Sequence, residues 1–218
     1  RITIATISVG KRPFTEYTLD SIRKYTHERG YDFVLRDTPF EIPNKFQLKK
    51  DPNWQKLFWL RELLEQSDAE YVVWMDDDIL VTNRSVGMES FIARDPAKDL
   101  FISNDMFVKG HNFPYRPYLN SGVMIIKNSD KSREILDKAL EGYYTFEGWY
   151  WAFDDQSALE HVYFTTDGDG FCVIPHGSLQ TIRMSGDWKE GDFLYHMAGQ
   201  SGKSRVQDCK KLTAMGIV

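Results

Sequence analysis

Apolar residues recur along the chain with two alternating periods. A short apolar run at residues 2–9 (Ile2-Thr3-Ile4-Ala5-Thr6-Ile7-Ser8-Val9) reads as a first core strand. Lys11-Arg12-Pro13 then starts a helix in which Phe14, Thr18, Ile22 and Tyr25 keep a helical spacing, Thr18 being the weak member, and Gly30 stops it. Residues 31–35 read as a second strand, followed by a loop with Pro39 and Pro43. Asp51-Pro52-Asn53 starts a stronger helix, with Asp51 placed to cap and Trp54, Leu57, Phe58, Arg61 and Leu64 on one face. Residues 71–75 form the next strand. Further on, 100–103 and 123–126 read as strands, and 129–140 and 155–164 as helices. Residues 171–196 read as short strands with turns at Gly177 and Gly186, and 203–214 as a final helix.

Strands alternating with helices predict an α/β fold: a single domain with a mostly parallel central sheet, helices on both faces and a smaller mixed C-terminal part. A length of 218 residues suits one domain with a real core. In open sheets of this kind ligands bind at the carboxyl ends of strands. Thr6–Arg12 and Asp76–Asp78 both fall at such ends and are expected to share one crevice.

The run Glu70-Tyr71-Val72-Val73-Trp74-Met75 feeds directly into Asp76-Asp77-Asp78, and Ile79-Leu80 follow. Adjacent carboxylates repel unless something positive sits among them, and a divalent cation with oxygen ligands meets that need. A solvated acidic turn is the competing reading, and the apolar flanks leave the two even. At a strand end, residues two apart project to the same side. Asp76 and Asp78 can therefore approach one ion, and Asp77 points elsewhere, towards a ribose hydroxyl or a backbone cap. A softer third ligand favours manganese over magnesium, and His196, which closes the run Phe193-Leu194-Tyr195, is the candidate. The tail after it, Met197-Ala198-Gly199-Gln200-Ser201-Gly202-Lys203, is glycine-rich, ends in a cation and opens a helix, a combination that attracts phosphate. Flexible glycine turns are also common without any ligand. Two further patches carry polar groups: Asn120-Ser121-Gly122 just before a core strand, and Asp154-Asp155-Gln156 at a helix start, where acids also serve simply as dipole partners.

Composition narrows the classes. A net charge of −5 without a dense basic run argues against nucleic acid as a partner. Aromatics at 14% suit a sugar cleft as well as a core. Cys172 and Cys209 make no disulfide framework and are read as two free thiols in a reducing compartment. No run reaches the roughly 18 apolar residues a membrane span needs, and the N-terminus lacks a signal-peptide pattern. The expectation is a soluble, cytoplasmic protein. The chain does not begin with Met, which leaves flanking segments open.

Asp76-Asp77-Asp78 is a D-x-D motif and resembles the mark of metal-dependent nucleotide-sugar glycosyltransferases of the GT-A fold. Trp54-Gln55-Lys56, Trp74-Met75-Asp76-Asp77-Asp78, Leu119-Asn120-Ser121-Gly122-Val123, Asp154-Asp155-Gln156-Ser157-Ala158 and His196-Met197-Ala198-Gly199 follow in the order seen in glycosyltransferase family 34, the α-galactosyl and α-xylosyl transferases. The resemblance spans roughly residues 50–200, and the whole is also similar to a compact glycosyltransferase domain of a large algal (chlorella) virus, which would place the protein in host cytoplasm. It implies a GT-A domain over 1–218, with a nucleotide-binding half at 1–110 and an acceptor and donor-sugar half at 111–218.

The resemblance further implies that Asp76, Asp78 and His196 bind Mn2+, or Mg2+ in its place, which bridges the phosphates of a UDP-sugar. Thr6 and Ser8 would lie near the uridine, and Arg12, Asp77 and Gly199 would belong to the nucleotide-sugar site. Lys56 and Lys203 would neutralise phosphate or touch the donor sugar. Asn120, Ser121 and Gly122 would line the donor-sugar region, and Asp155 and Gln156 would sit beside the anomeric carbon as the catalytic pair. The acceptor would be an oligosaccharide or glycoprotein. Family members retain anomeric configuration; an inverting enzyme would use Asp155 as general base, and a catalytically silent UDP-sugar or glycan binder is a further alternative. The chain is expected to depart from the family in being short and without the membrane anchor, and it departs in the acidic middle residue Asp77 and in the tail after His196, where the family more often has an aromatic and a Cys.

Overall fold

The computed structural model describes residues 1–42, 51–105, 118–145, 154–183, 186 and 188–218. Pro43 and the side chains of Asp51 and Pro52 lie outside the described residues, so the expected loop proline and helix cap there are not addressed. The elements in chain order are β1 (Ile2–Ile7), α1 (Thr15–Arg29), β2 (Asp32–Arg36), α2 (Asp51–Gln66), β3 (Tyr71–Met75), β4 (Ile79–Val81), α3 (Glu89–Ile92) and β5 (Leu100–Asn104). They continue with β6 (Leu119–Lys127), α4 (Asp130–Thr145), α5 (Asp154–Thr165), β7 (Phe171–Ile174), β8 (Thr181–Ile182), β9 (Leu194–His196) and α6 (Gly202–Ala214).

Six strands form the main sheet in the order β2-β1-β3-β6-β5-β7. All run the same way except β6, which lies antiparallel between β3 and β5. The expected mostly parallel α/β sheet is therefore what forms; β1, β3, β5 and β6 are buried along nearly their whole length, as a sheet covered twice requires, while the edge strand β2 is half-exposed. On one face α2, α4 and α5 pack Trp54, Leu57, Leu60, Leu136 and Leu159 against Val72, Trp74 and Met124. On the other, Ile22 and Tyr25 of α1 join Ile4, Val73, Ile79 and Val81. A second sheet, β4-β9-β8, sits beside the first. Phe14, Leu80, Tyr195, Met197, Cys209 and Leu212 form a smaller cluster that seats α6 on it.

Three expectations shift. The first helix begins at Thr15 rather than at Lys11-Arg12-Pro13, because the chain turns at Gly10 (φ 77°) and the helix is bonded back to the Arg12 carbonyl by the Thr15 N–H at 3.0 Å. β6 begins at Leu119, so Asn120-Ser121-Gly122 lie within a strand and not ahead of one; a register shift against β5 between Ile102 and Ser103 lets the polar stretch keep pairing. β4, unforeseen, has three residues, too few to show a period, and exists because Ile79 and Val81 pair with His196 and Leu194 of β9. Both cysteines are free thiols. Among the described residues no helix is long and apolar enough to cross a membrane.

Candidate functional site

The site grows from the place where β3 runs out. Asp76 follows Met75, and its N–H donates to the Gly122 carbonyl at 2.8 Å, extending the β3–β6 pairing by one residue. The chain then turns, Asp78 comes just before β4, and β4 draws His196 alongside by pairing Ile79 with it. The Met197 N–H donates to the Asp78 carbonyl at 3.1 Å, which fixes the two segments at the point where the Asp78 and His196 side chains emerge. His196 Nε2 stands 3.3 Å from Asp78 Oδ1 and 4.0 Å from Asp76 Oδ2. One ligand atom from each of Asp76, Asp78 and His196 lies within 4.8 Å of the others.

Gly122 makes this possible. A Cβ there would lie 2.2 Å from His196 Cε1 and 2.7 Å from its Nδ1. The imidazole thus occupies the space where a side chain on β6 would stand, and only glycine leaves it free. His196 is 3% exposed, and its Nδ1 is a buried atom with no hydrogen-bond partner among the described residues. Burial works against charge on His196, but Asp78 and then Asp76 outweigh it and raise its pKa. Burial also opposes ionisation of Asp78, yet His196, Arg205 and Lys56 hold its pKa down at about 2. Two carboxylates and one imidazole, all turned to one point, suit a divalent ion of intermediate softness. The site's geometry fits that group on its own terms: Nε2 faces the acids, and the glycine cradle holds the ring there.

Behind the acids lies a closed polar cluster. Lys56 on α2 reaches Asp76 Oδ1 at 3.0 Å and Asp155 Oδ2 at 3.2 Å, with the Ser121 carbonyl and hydroxyl each at 3.4 Å and the Trp74 ring 5.7 Å away. Ser121 Oγ donates to Asp155 Oδ2 at 2.7 Å. Gln156 Oε1 accepts from the Ser121 N–H at 3.4 Å, and its amide donates to Asp105 at 3.1 Å. Lys56, Ser121, Asp155 and Gln156 are each buried. Burial opposes charge on Lys56, but Asp155 and Asp76 more than offset it, so its pKa lies above the usual lysine range. Burial pushes the Asp155 carboxyl up, against the pull of Lys56 and Ser121. Asp154 opens α5 with a left-handed φ of 48° and accepts from the Asn53 amide at 2.7 Å.

The remaining expected residues divide. Asp77 turns away from the Asp76–Asp78–His196 cluster as expected, but towards Arg12, with which it pairs; its carbonyl accepts from the Thr18 hydroxyl at 2.7 Å. Arg12 also reaches Ser8 Oγ at 3.4 Å, bringing Ser8 to the site's edge. Thr6 is fully buried, with a hydroxyl that has no partner among the described residues. Asn120 Oδ1 accepts from the Gly122 N–H and the Gln180 amide, each at 3.0 Å. Gly199 takes a left-handed φ of 69° in the turn before α6. Lys203 is exposed and forms no ion pair among the described residues. It is Arg205, not foreseen, that α6 turns to the acids, with Nη2 2.6 Å from Asp78 Oδ2. Asp105, the shared acceptor of the Asn120 and Gln156 amides, was also missed. Ser201, the cap of α6, was the available signal for Arg205: a residue one turn beyond a cap faces back over the capping turn.

A model of the galactosyl transferase GMA12/MNN10 family matches residues 4–207. An uncharacterized α-1,2-galactosyltransferase of Schizosaccharomyces pombe is 22% identical over 219 residues, covering 86% of this chain and 56% of that protein. A second α-1,2-galactosyltransferase of the same yeast is 21% identical over 217 residues with the same coverage. The chain thus spans about half the length of the curated relatives it matches. Among solved structures, a glycosyltransferase involved in glycosylation of the major capsid of PBCV-1 superposes with a TM-score of 0.77 at 18% identity, over 96% of this chain and 98% of that one. The galactosyltransferase LgtC, in complex with donor and acceptor sugar analogs, gives 0.61 at 14% identity, over 98% and 94%. Both likenesses establish the GT-A architecture of the fold.

Proposed function

The chain belongs to the galactosyl transferase GMA12/MNN10 family and is a glycosyltransferase, and we propose that it moves a hexosyl group from a UDP-sugar to a hydroxyl of an oligosaccharide or glycoprotein with retention of anomeric configuration. The observation that carries this reading is the convergence of Asp76, Asp78 and His196 beside the buried Lys56–Asp155 pair. A divalent ion held by those three residues, Mn2+ by preference or Mg2+, would supply Lewis-acid neutralisation of the departing diphosphate. Lys56 adds a fixed positive charge beside the same position. Ser8, Arg12 and Asp77 are assigned to the nucleotide edge with Thr6 buried behind them, and Gly199 and the exposed Lys203 to the phosphate side.

Asn120, Ser121 and Gly122 line the place of the donor sugar, with Gln156 and Asp155 behind them. As the bond to UDP lengthens, positive charge grows on the anomeric carbon, and these preorganised dipoles and the Asp155 carboxylate stabilise it without having to reorganise. The acceptor hydroxyl attacks from the face that UDP leaves, and its proton passes to a phosphate oxygen. Asp155 is engaged by both Lys56 and Ser121, which favours this electrostatic role over that of a mobile base. The test is a panel of UDP-sugars with Mn2+ or Mg2+, scored for UDP release, with product configuration read by NMR coupling constants. One donor should release UDP only when metal is present and give a product of unchanged configuration. Binding without turnover for every donor would leave a silent binding domain, and an inverted product would return Asp155 to the role of base.

A further inference from the structure

The second sheet meets β6 at two positions, two residues apart. His196 of β9 fills the space beside Gly122, and Gln180, two residues before the Ile182 that pairs with His196, reaches Asn120. Gln180 is 0% exposed, and its Nε2 donates to Asn120 Oδ1 at 3.0 Å, with the Asn120 carbonyl at 3.5 Å and Ser103 Oγ at 3.4 Å. Its Oε1 has no partner among the described residues. The reverse orientation of this amide would turn Oε1 against two oxygens of Asn120, so the donor edge faces Asn120. Asn120 is fixed in turn. Its Oδ1 also accepts from the Gly122 N–H at 3.0 Å, and its Nδ2 donates to Asp105 Oδ2 at 3.2 Å. Turned about, Asn120 would set its NH2 against two donors, Gln180 and Gly122, and its oxygen against the Asp105 carboxylate. Gln156 is held in the same sense: its oxygen accepts from the Ser121 N–H and its NH2 donates to the same Asp105 oxygen at 3.1 Å.

We propose that Gln180 is a positioning residue for the donor sugar: by holding Asn120 Oδ1 it turns the NH2 edge of Asn120, and not its carbonyl, towards the place of the sugar, so that this side chain donates to a sugar hydroxyl. The inference rests on the reading of Asn120 as part of the donor-sugar region. An amide nitrogen carries two N–H groups. Asp105 takes one of those on Asn120, and the second has no acceptor among the described residues. A hydroxyl, which can accept as well as donate, suits that position. A donor fixed before the ligand arrives does not have to be ordered by it, and that saving appears as affinity. Without the Gln180 amide, Asn120 Oδ1 keeps only the Gly122 N–H, the two orientations of Asn120 come closer in energy, and the sugar itself must select one. Gln180 acts through Asn120, from a buried position one residue ahead of β8.

The experiment is calorimetric titration of the whole chain, in the presence of Mn2+, with UDP and with UDP-galactose, UDP-glucose and UDP-xylose, for the wild type, Gln180→Met, Asn120→Ala and the double variant. The quantity read is the affinity for each UDP-sugar relative to that for UDP. In Gln180→Met the ratio for the sugar that the wild type binds best should fall by about 3–10-fold, the scale of one hydrogen bond. UDP itself should bind as before, which an unfolded chain would not do. Asn120→Ala should lower the ratio at least as far, and adding Gln180→Met to it should change the ratio no further, because residues that act through one contact are not additive. Equal weakening of UDP and UDP-sugar in Gln180→Met would mean that Gln180 does no more than seat the second sheet on β6, and that result overturns the proposal. So does an unchanged ratio, and so does a full further loss in the double variant, which would make Gln180 act without Asn120. A wild type that binds neither UDP nor any of the three UDP-sugars removes the nucleotide-sugar reading itself, and the proposal with it.

Discussion

The mouth of the site and its floor are built from the same residue types to opposite ends. At the mouth, Asp76, Asp78 and His196 stand on strand ends and a turn, with the Asp76 side chain 28% exposed and ligand atoms facing a common point. On the floor, Lys56, Ser121, Asp155 and Gln156 come from two helices and a strand, and every charge there already has its partner at 3.4 Å or less. The floor is complete without a ligand. The mouth also has partners, Lys56 for Asp76 and Arg205 for Asp78, but it turns one ligand-type atom from each of Asp76, Asp78 and His196 to a common, partly exposed point. Asp76 belongs to both, accepting from Lys56 on one side and turning Oδ2 towards His196 on the other. The arrangement separates holding from binding: the floor fixes where the mouth points.

Breaking the floor should therefore cost the most. Lys56→Met leaves Asp155 buried without its cation, and removal of one partner from a buried pair typically costs about 3–5 kcal/mol. Urea denaturation should show that loss, with activity abolished as well. Lys56→Met combined with Asp155→Leu should recover much of the stability but none of the activity, since two apolar groups leave no fully buried charge unpaired and Asp76 keeps the Trp74 indole N–H and partial exposure. If the single variant unfolds with an unchanged midpoint, the floor is not the rigid element described. Breaking the mouth should do the reverse. Asp78→Ala removes a ligand and should abolish Mn2+-dependent UDP binding, a loss of about 100-fold or more, beyond the range set by orienting partners alone. Retention of full metal-dependent UDP binding by Asp78→Ala would remove Asp78 from the ligand set.

How far the sequence led follows the same division. The mouth was legible because its signals are local. An apolar run ending in three consecutive acids places the first and third carboxylates on one side, and a histidine closing another apolar run offers a third candidate ligand. The alternation of strands and helices likewise disclosed the sheet, since burial on two faces writes itself into continuous apolar runs. The floor's membership rested on the family resemblance, because Lys56 and Asp155 are remote in sequence and neither sits in a pattern that betrays pairing. Arg205 is 127 residues from Asp78, and the Ser201 cap tells which way residue 205 faces but not that an acid waits there. The glycine-rich tail drew attention to Lys203 instead, but the helix capped by Ser201 directs residue 205 to the acids and leaves 203 in solvent. β4 was hidden for a different reason: three residues hold no period, and only pairing with β9 makes them a strand.

Gly122 joins the two regions and sharpens the contrast at smaller scale. It lies in β6 next to Ser121 of the floor, and its missing side chain is the room in which the mouth's imidazole stands. Gly122→Ala forces His196 to move, because Cε1 would be 2.2 Å from the new carbon and a ring held at 3% exposure has little freedom to shift. Overpacking of this kind costs about 1–3 kcal/mol. The expected signature is a modest fall in the denaturation midpoint with a disproportionate loss of Mn2+ affinity, measured by titration calorimetry. Equal affinity in variant and wild type would show that the ring's position is not set by this contact.

The smallest effect concerns how the floor's strand is entered. Glu160 on α5 accepts from the N–H groups of Tyr118 and Leu119, at 2.6 and 2.9 Å, and so anchors the start of the strand that carries Asn120, Ser121 and Gly122. Partial burial raises its pKa, the two backbone donors work against that rise, and Asp105 adds to it. A carboxyl with a raised folded-state pKa binds its proton more tightly in the folded chain. Its contribution is therefore full below the unfolded value near 4.5 and is lost as pH rises through the higher folded value. Glu160→Gln keeps an acceptor for both N–H groups but cannot ionise. The stability difference, wild type minus variant, should thus fall between pH 4 and pH 8, by less than about 1 kcal/mol, the scale of one hydrogen bond. Urea denaturation of both proteins at the two pH values measures it. A difference that grows with pH would mean that the ionised carboxylate is the better anchor, and that the backbone donors outweigh burial at this position.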